Sequence, residues 1–229
     1  MTDRIDLLKE NSLFSSLPEK DLKEIARSFF EKKFSKGEYI FLEGEPSEYL
    51  CIVKEGRVKI IKHSETGKNV LIEVISKGEA FAQVAVFDGG PNPATAEAMQ
   101  DCEITMISRK NFFNLLEKYP VIAKKNIGIL GKRLRETIDT IRSLAVERVE
   151  KRIASLLIKM ADKVGEKDEG SVKLNISLTR QDIAEMVGTT VETTIRIMSK
   201  WAKEGIIKSS GRKIIIMNIN KLRGIKEVQ

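Results

Sequence analysis

Residues 178–203 read LTRQDIAEMVGTTVETTIRIMSKWAK and indicate the fold of the last third of the chain. Thr179 can cap a short helix that Gly188 is expected to end, and Thr190 can cap a second helix that runs to about Lys203. The apolar residues of the predicted inner face of this second helix are Ile195, Met198 and Trp201. Two helices joined by a short turn containing Gly are typical of a helix-turn-helix.

A predicted wing follows this motif. The runs at 206–208 and 213–216 are separated by Ser-Ser-Gly-Arg, which predicts a β-hairpin with basic residues at its tip. The same segment is basic: residues 151–229 contain 16 Lys+Arg against 9 Asp+Glu (+7), whereas residues 1–118 contain 17 against 20 (−3) and residues 119–150 contain 7 against 4 (+3). This distribution indicates a polyanion-binding module, although a solvated basic face without a partner also fits the charge alone.

The N-terminal part of the second helix of a helix-turn-helix enters the DNA major groove, where side chains meet base edges. Glu192 and Arg196 are four residues apart and therefore share one helical face. A carboxylate can accept from cytosine N4, a guanidinium can bind guanine O6 and N7 together, and Val191 can contact a thymine methyl. A surface salt bridge is the alternative for Glu192 and Arg196. The residues better placed for DNA phosphates are Arg180, Thr190, Thr193, Arg212 and Lys213.

The sequence over Glu38–Ser108 consists of short β-rich runs with glycines between them, which predicts a small antiparallel barrel or sandwich. Two short helices are expected before it, one of them over Pro18–Phe29, and another after it that Ser108 can cap. His63 lies beside the predicted hairpin tip at 65–67, where it is either an exposed turn residue or a metal or haem ligand.

A long helix is predicted after the barrel, because no proline occurs from Val121 to about Lys163. Its apolar residues recur at spacings of 3, 4, 4, 3 and 4, a seam that two helices can share as a coiled coil. The seam consists of Ile127, Leu130, Leu134, Ile138, Ile141 and Ala145. We interpret it as a homodimer interface, and packing against the chain's own barrel is the alternative.

The composition excludes several classes of protein. Among 229 residues, 41% are hydrophobic and 32% charged, as in a soluble globular protein. Cys51 and Cys102 are far apart in the sequence, which excludes a disulfide framework, a cysteine-ligated zinc finger and a four-thiolate iron–sulfur cluster. With a single histidine, no P-loop and no G-x-G-x-x-G, the chain is expected to be neither an enzyme nor a metal-binding protein. The sequence has no membrane-spanning apolar run and no secretory signal, so a cytoplasmic location is expected.

These elements together predict an α+β protein of three parts. The first is a sensory antiparallel β-roll, a cupin-like jelly roll with flanking short helices, over residues 1–120. A dimerisation helix follows over residues 121–147, and a winged helix-turn-helix occupies residues 148–229.

This order of barrel, long helix and winged helix-turn-helix resembles the catabolite-activator/fumarate-nitrate-reductase (CRP/FNR) family of bacterial transcription regulators over essentially the whole chain. The stretches 179–184 and 190–196 look like the family's DNA-reading motif. The resemblance implies that Glu192 and Arg196 read a G and its neighbouring pair in a TGA-type half-site, and that Ile195 replaces a serine of the branch that reads TTGAT. It also implies double-stranded DNA, a second copy of the chain and RNA polymerase as partners.

The barrel departs from the cyclic-AMP-binding members of this family. Those members carry Gly-Glu-Leu and, further along, an Arg-Ser pair that holds the cyclic phosphate; this chain has Ala82-Gln83-Val84 and Pro93-Ala94 at the matching positions. No cation is therefore expected to remain for the phosphate, and a buried phosphate without a partner is costly. In the dimer helix, Thr137-Ile138 replaces the Thr-Ser pair of the same members. Cyclic AMP is thus not an expected effector.

The barrel is similar instead to the branch of nitrate-respiration and hybrid-cluster-protein regulators, through Phe81-Ala82-Gln83 and the run at 94–98. This resemblance implies a nitric-oxide response in nitrosative stress, sensed through haem. The pocket residues that it implies are Phe81, Ala82, Gln83, Val84, Val86, Ala94, Thr95, Thr137, Ile138 and Ile141. Axial histidines do not carry over, because His63 is the only histidine, which leaves Cys, Met, His63 or the N-terminal amine. Another small ligand, and DNA binding independent of any ligand, are the alternatives.

A rival interpretation is an effector-binding β-roll that regulates a partner protein, with the C-terminal segment used for protein contact. The shared face of Glu192 and Arg196 and the charge of residues 151–229 argue against it. We therefore expect a homodimeric, sequence-specific DNA-binding regulator.

Overall fold

The computed structural model describes residues 2–63, 69–168, 170–210 and 213–227. The chain divides into an N-terminal unit, residues 1–134, and a C-terminal unit, residues 135–229, and a 27-residue helix contributes to both. No helix in the described residues combines the length and the apolar character needed to cross a membrane. The three-part division given above stays a prediction.

The described residues of the N-terminal unit form two four-stranded sheets. Their strands are β1 (Phe30–Phe34), β2 (Tyr39–Phe41), β3 (Tyr49–Glu55), β4 (Arg57–His63), β5 (Asn69–Ser76), β6 (Ala80–Phe81), β7 (Thr95–Ala98) and β8 (Cys102–Ser108). One sheet has the order β1-β8-β3-β6 and the other β2-β7-β4-β5, and their described pairings are antiparallel. The predicted antiparallel β-roll is confirmed. The predicted hairpin tip at 65–67 lies outside the described residues.

Side-chain alternation along β3 places this strand between two cores. The helices of the unit are α1 (Thr2–Glu10), α2 (Glu19–Ile25), α3 (Gln83–Asp88), α4 (Arg109–Lys118) and the first part of α5 (Pro120–Val146). Leu50 and Ile52 pack with helical residues, whereas Cys51 and Val53 pack in the core between the sheets. Successive strand residues point to opposite faces, so one strand serves both cores.

The helices before and after the roll were expected from the sequence, whereas α3 was not. α2 begins after Pro18, and Ser108 caps α4, where its Oγ accepts from the Asn111 N–H at 3.3 Å. α1 is the second of the two helices expected before the roll, although no range was predicted for it. Its order comes from the burial of Leu7 and Leu8 in the helical core, because tertiary packing supplies most of the stability of short helices.

The C-terminal unit packs helices against a third sheet. After the end of α5, its elements are α6 (Val149–Val164), β9 (Gly165–Asp168), β10 (Ser171–Leu174), α7 (Arg180–Val187), α8 (Val191–Lys203), β11 (Ile207–Ser210), β12 (Lys213–Ile216) and α9 (Ile219–Glu227). The predicted wing is present as the antiparallel pair β11–β12. β10 and β9, which were not predicted, extend it into a sheet of order β11-β12-β10-β9.

Candidate nucleic-acid interface

The first helix of the helix-turn-helix, α7, is fixed at both ends by its sequence. The Asp182 N–H donates to Thr179 Oγ1 at 3.0 Å, and the Thr179 N–H donates to Asp182 Oδ2 at 2.7 Å, a reciprocal capping box. Gly188 ends the helix in the left-handed conformation, with φ +64°. A Cβ on Gly188 would lie 2.8 Å from Leu144 Cδ2, so both the turn and the close approach favour glycine.

The second helix, α8, begins at the predicted cap and buries two of its three predicted inner-face residues, Met198 and Trp201. The Thr193 N–H donates to Thr190 Oγ1 at 3.2 Å. The prediction that Ile195 lies on the inner face is wrong, because its side chain is 47% exposed. The buried residues are Thr194, Ile197, Met198 and Trp201. Thr194 is accommodated there because its hydroxyl donates to Thr190 O at 3.1 Å, so no hydroxyl is left unpaired.

The outer face of α8 holds the residues predicted to read bases. Glu192 and Arg196 are exposed one helical turn apart, and Val191 in the first turn is half-buried. Ile195 lies beside Arg196 on this exposed side, so the face offers a carboxylate, a guanidinium and an apolar group together. Their role in reading bases stays a prediction.

The residues predicted to contact phosphates lie on three elements. Arg180 begins α7, and its Nη2 donates to Ser209 Oγ on β11 at 2.7 Å, while its Nη1 is buried with no hydrogen-bond partner among the described residues. Burial lowers the pKa of this guanidinium. Thr190 and Thr193 share a hydroxyl hydrogen bond of 3.1 Å, and Lys213 is exposed at the start of β12. Arg212 lies outside the described residues.

The recognition helix is also anchored by a residue that the sequence analysis missed. Glu150, in the first turn of α6, accepts from Trp201 Nε1 at 3.1 Å and from Lys200 Nζ at 3.0 Å. Trp201 is fully buried, and its indole N–H needs an acceptor there. No sequence spacing links residues so far apart, and only their meeting in the fold reveals the contact.

The β-roll contains a cavity of about 150 Å³ within the N-terminal unit. Its lining includes five of the predicted pocket residues together with others, namely Phe41, Ile60, Glu73, Ile75, Phe81, Ala82, Gln83, Val84, Ala85, Asn92, Pro93, Ala94 and Arg133. Two predicted residues lie elsewhere: Thr95 Oγ1 accepts from the Glu43 N–H at 3.0 Å, and Val86 is buried in the helical core. Thr137, Ile138 and Ile141 belong to the other unit, and their part in a pocket stays a prediction.

The polar groups of this cavity differ from the expectation. Gln83 is 2% exposed; its Nε2 donates to Asn126 Oδ1 at 3.0 Å, and its Oε1 has no partner among the described residues. Asn92 Oδ1 is likewise buried without a partner there. The absence of a cation for a cyclic phosphate was predicted from Pro93 and Ala94 and stays a prediction, but a cation from elsewhere in the chain lines the cavity. Arg133 lines it, donating to Ala80 O at 3.3 Å and lying 3.9 Å from the Glu73 carboxylate.

The cavity residues do not fit haem. Haem iron takes an axial His, Cys, Met or Tyr, and the described lining has none of these residue types. The volume is also below the roughly 300–1,000 Å³ of sites for drug-sized ligands. Cys51 does not line this cavity; it lies in the core between the sheets, where burial strongly raises the pKa of its thiol.

Known domain profiles match the chain in the same order as its two units. The profile of the cyclic nucleotide-binding domain matches residues 31–119, and that of the Crp-like helix-turn-helix domain matches residues 151–225. Together with the capped recognition helix and the wing, these matches define a DNA-binding transcription regulator with an effector-binding β-roll.

The chain belongs to the CRP/FNR family of transcription regulators. It is 32% identical over 174 residues to the cAMP-activated global transcriptional regulator CRP of Pasteurella multocida, covering 76% of this chain and 83% of the relative. It is 24% identical to the CRP-like cAMP-activated global transcriptional regulator of Mycobacterium tuberculosis, over 95% of this chain and 97% of the relative. Among solved structures it is similar to FixK2 from Bradyrhizobium japonicum, with a TM-score of 0.75 and 25% identity over 88% of this chain and 98% of that one.

Proposed function

We propose that this chain acts as a homodimer that binds an inverted repeat of TGA-type half-sites, and that the β-roll cavity controls this binding. The observation that carries the proposal is the outer face of α8, where Glu192 and Arg196 are exposed one turn apart. Such a face presents a carboxylate acceptor and a bidentate guanidinium to base edges in the major groove. The fixed ends of α7 and α8 support the proposal, because they hold this face in a defined position.

The exposed apolar stripe of α5 supports the homodimer. Ile127 is 71% exposed, Leu134 62%, Ile138 55% and Ile141 62%, all at the predicted seam spacing. A stripe of this kind along one helix is self-complementary, so a second copy related by a two-fold axis covers it in coiled-coil packing. The two recognition helices of such a dimer reach half-sites about 34 Å apart.

A binding-site selection from random DNA, followed by footprinting, tests the DNA part of the proposal. The expected site is an inverted repeat with TGA-type half-sites separated by one helical turn. Affinity is expected to fall steeply with salt, because basic residues displace counterions from phosphates. A single asymmetric contact, or an affinity that ignores ionic strength, would contradict the proposal.

RNA polymerase is the proposed protein partner. In-vitro transcription from a template that carries the selected site should rise or fall when the protein is added. A template with a scrambled site is the matched control and should not respond. An equal response from both templates contradicts regulation through this site.

The proposed effector is a compact molecule other than cyclic AMP. The relatives named as cAMP-activated come from the same family, but this chain has Pro93 and Ala94 where cyclic-AMP binders place an Arg-Ser pair. Gln83 Oε1 and Asn92 Oδ1 are buried acceptors at the cavity, so the compact effector is expected to donate hydrogen bonds to them. Calorimetry with cyclic AMP should show no binding, and DNA affinity should be unchanged by it. Tight binding of cyclic AMP would overturn this part of the proposal.

Haem and nitric-oxide sensing do not enter the proposal, because the described cavity lining offers no axial ligand. A haem titration of the purified protein should therefore leave the Soret band of free haem unshifted. A sharp Soret shift at one haem per chain would contradict this expectation.

A further inference from the structure

Arg152, in the first turn of α6, joins two helix ends through four hydrogen bonds. Its Nη1 donates to Leu144 O at 3.3 Å and to Glu147 O at 3.0 Å, at the C-terminal end of α5. Its Nε donates to Val187 O at 2.9 Å, and its Nη2 donates to Gly188 O at 3.1 Å, at the C-terminal end of α7. All three guanidinium nitrogens are therefore engaged with backbone carbonyls of the C-terminal unit.

The acceptors explain why a guanidinium lies at this place. The last carbonyls of a helix have no partner within the helix and carry partial negative charge. The ends of α5 and α7 meet here, and Leu144 also packs closely on Gly188. One planar fork of donors can satisfy carbonyls from both ends and neutralise their mutual repulsion. A lysine ammonium is a point charge and lacks the fork needed to span both ends.

The position of this junction gives it a consequence for DNA recognition. Gly188 lies two residues before Thr190, which caps the recognition helix α8. The other end of the junction is the end of α5, the helix that carries the exposed apolar stripe. The direction in which α8 leaves the turn is therefore fixed relative to the C-terminal end of α5 at Arg152.

We propose that Arg152 is a positioning residue for DNA recognition, which sets the separation of the two recognition helices by tying the turn before α8 to the end of the dimer helix. This inference rests on the proposed homodimer. Arg152 acts through the backbone carbonyls of Val187 and Gly188 and not through a contact with DNA.

Arg152→Met removes the donors and keeps the length of the side chain, Arg152→Lys keeps the charge without the fork, and Lys151→Met is the matched control. Lys151 is the neighbouring residue, and its Nζ lies 3.5 Å from the Glu147 carboxylate in a partly buried pair. Each protein is tested on the selected inverted repeat and on versions with one base pair added to or removed from the spacer.

The native protein and Lys151→Met should strongly prefer the selected spacing. Arg152→Met should sediment as a dimer, bind the selected site at least tenfold more weakly, and bind all three spacings alike.

Spacing preference separates positioning from a merely structural role, because a destabilised protein keeps the preference in its folded fraction. The inference would be overturned if Arg152→Met kept the native spacing preference and bound the selected site within twofold of the native affinity. Arg152→Lys should also lose the spacing preference. A native preference in Arg152→Lys would overturn the claim that a guanidinium is needed to bridge both helix ends. If Arg152→Met does not fold, Arg152→Lys decides the outcome.

Hydrogen exchange in the free protein separates this inference from the proposed homodimer. The Gly188 and Thr189 amides donate to carbonyls at the end of α7 and should be protected in the native protein. They should exchange faster in Arg152→Met, while amides of the β11–β12 pair stay protected. Unchanged exchange at the turn would overturn the inference. A native protein without any spacing preference would instead refute the proposed dimer on an inverted repeat. The exchange experiment would still test whether Arg152 holds the turn before α8.

Discussion

The indole Nε1 of Trp201 donates a hydrogen bond of 3.1 Å to the Glu150 carboxylate, and this contact joins the recognition helix to the first turn of α6. The two residues are 51 positions apart in the chain. Because the indole is fully buried, losing either partner changes the stability of the whole C-terminal unit.

Trp201→Phe should lower the free energy of unfolding by roughly 1–3 kcal/mol, because Glu150 loses a buried donor and the core loses volume. Glu150→Gln is the control, since its amide oxygen can still accept from the indole, and it should cost less. Urea unfolding followed by circular dichroism measures both changes. A loss in Trp201→Phe no larger than that in Glu150→Gln would contradict this prediction.

Arg196→Ala should weaken binding to the selected site by about 1–3 kcal/mol and relax the preference at the guanine, because the bidentate contact to the base is lost. Lys213→Ala should weaken all sequences alike and reduce the salt dependence, because a phosphate contact carries no sequence information. Competition binding with single-base operator variants distinguishes the two effects. An unchanged consensus from a selection with Arg196→Ala contradicts its assignment as a base-reading residue.

Leu134→Glu should abolish dimerisation and specific DNA binding together, because it buries two unpaired charges at the proposed seam at a cost of several kcal/mol. Lys124→Glu places the same residue at an exposed position of the same helix outside the predicted seam, and it should remain dimeric. Sedimentation at micromolar concentration measures the result. A dimeric Leu134→Glu protein would place the interface elsewhere.

Gly188→Ala should destabilise the protein by roughly 1–2 kcal/mol, because alanine is strained at φ +64° and its Cβ meets the Leu144 side chain. Combining it with Leu144→Ala should recover the steric part of the loss but not the backbone part. A double-mutant cycle by thermal unfolding measures this coupling. If the two destabilisations were fully additive, the Leu144 side chain would be shown to move aside for the new Cβ without an energetic cost.

Both thiols should be unreactive in the native protein at pH 8. Burial raises the pKa of the Cys51 thiol and, less strongly, that of Cys102, so less thiolate is present at this pH than in the unfolded chain. Ellman's reagent should report no fast thiol in native protein and two after denaturation. A rapidly reacting Cys102 in the native state would contradict its burial.

The local sequence predicted the helix ends well, because caps act over a few residues. Thr179, Ser108 and Thr190 cap the helices that they were expected to begin. The facing of α8 was harder to predict. Thr194 and Ile195 are adjacent in the sequence, and Thr194 is the one that is buried. Its hydroxyl donates to Thr190 O, a hydrogen bond that residue polarity alone does not indicate.

The cavity and the junction show where sequence patterns stop being informative. Arg133 lies 39 residues after Ala94, in whose loop a phosphate-binding cation was looked for. Only the packing of α5 on the roll brings Arg133 to the cavity. Arg152 resembles any arginine of a charged helix until its four carbonyl acceptors, drawn from two other helix ends, are known. Long-range meetings of this kind depend on topology and not on local spacing.

The exposed stripe of α5 has a consequence for how the proposed regulator responds to its own abundance. A single chain that carries Ile127, Leu134 and Ile141 in water gains by pairing, and the proposed DNA site is filled by two chains at once. Below the dissociation constant of the dimer, occupancy of the site then rises with the square of the chain concentration. A modest change in synthesis or degradation of the chain would be amplified into a larger change in occupancy, and the promoter would have a dosage threshold even at a constant effector level.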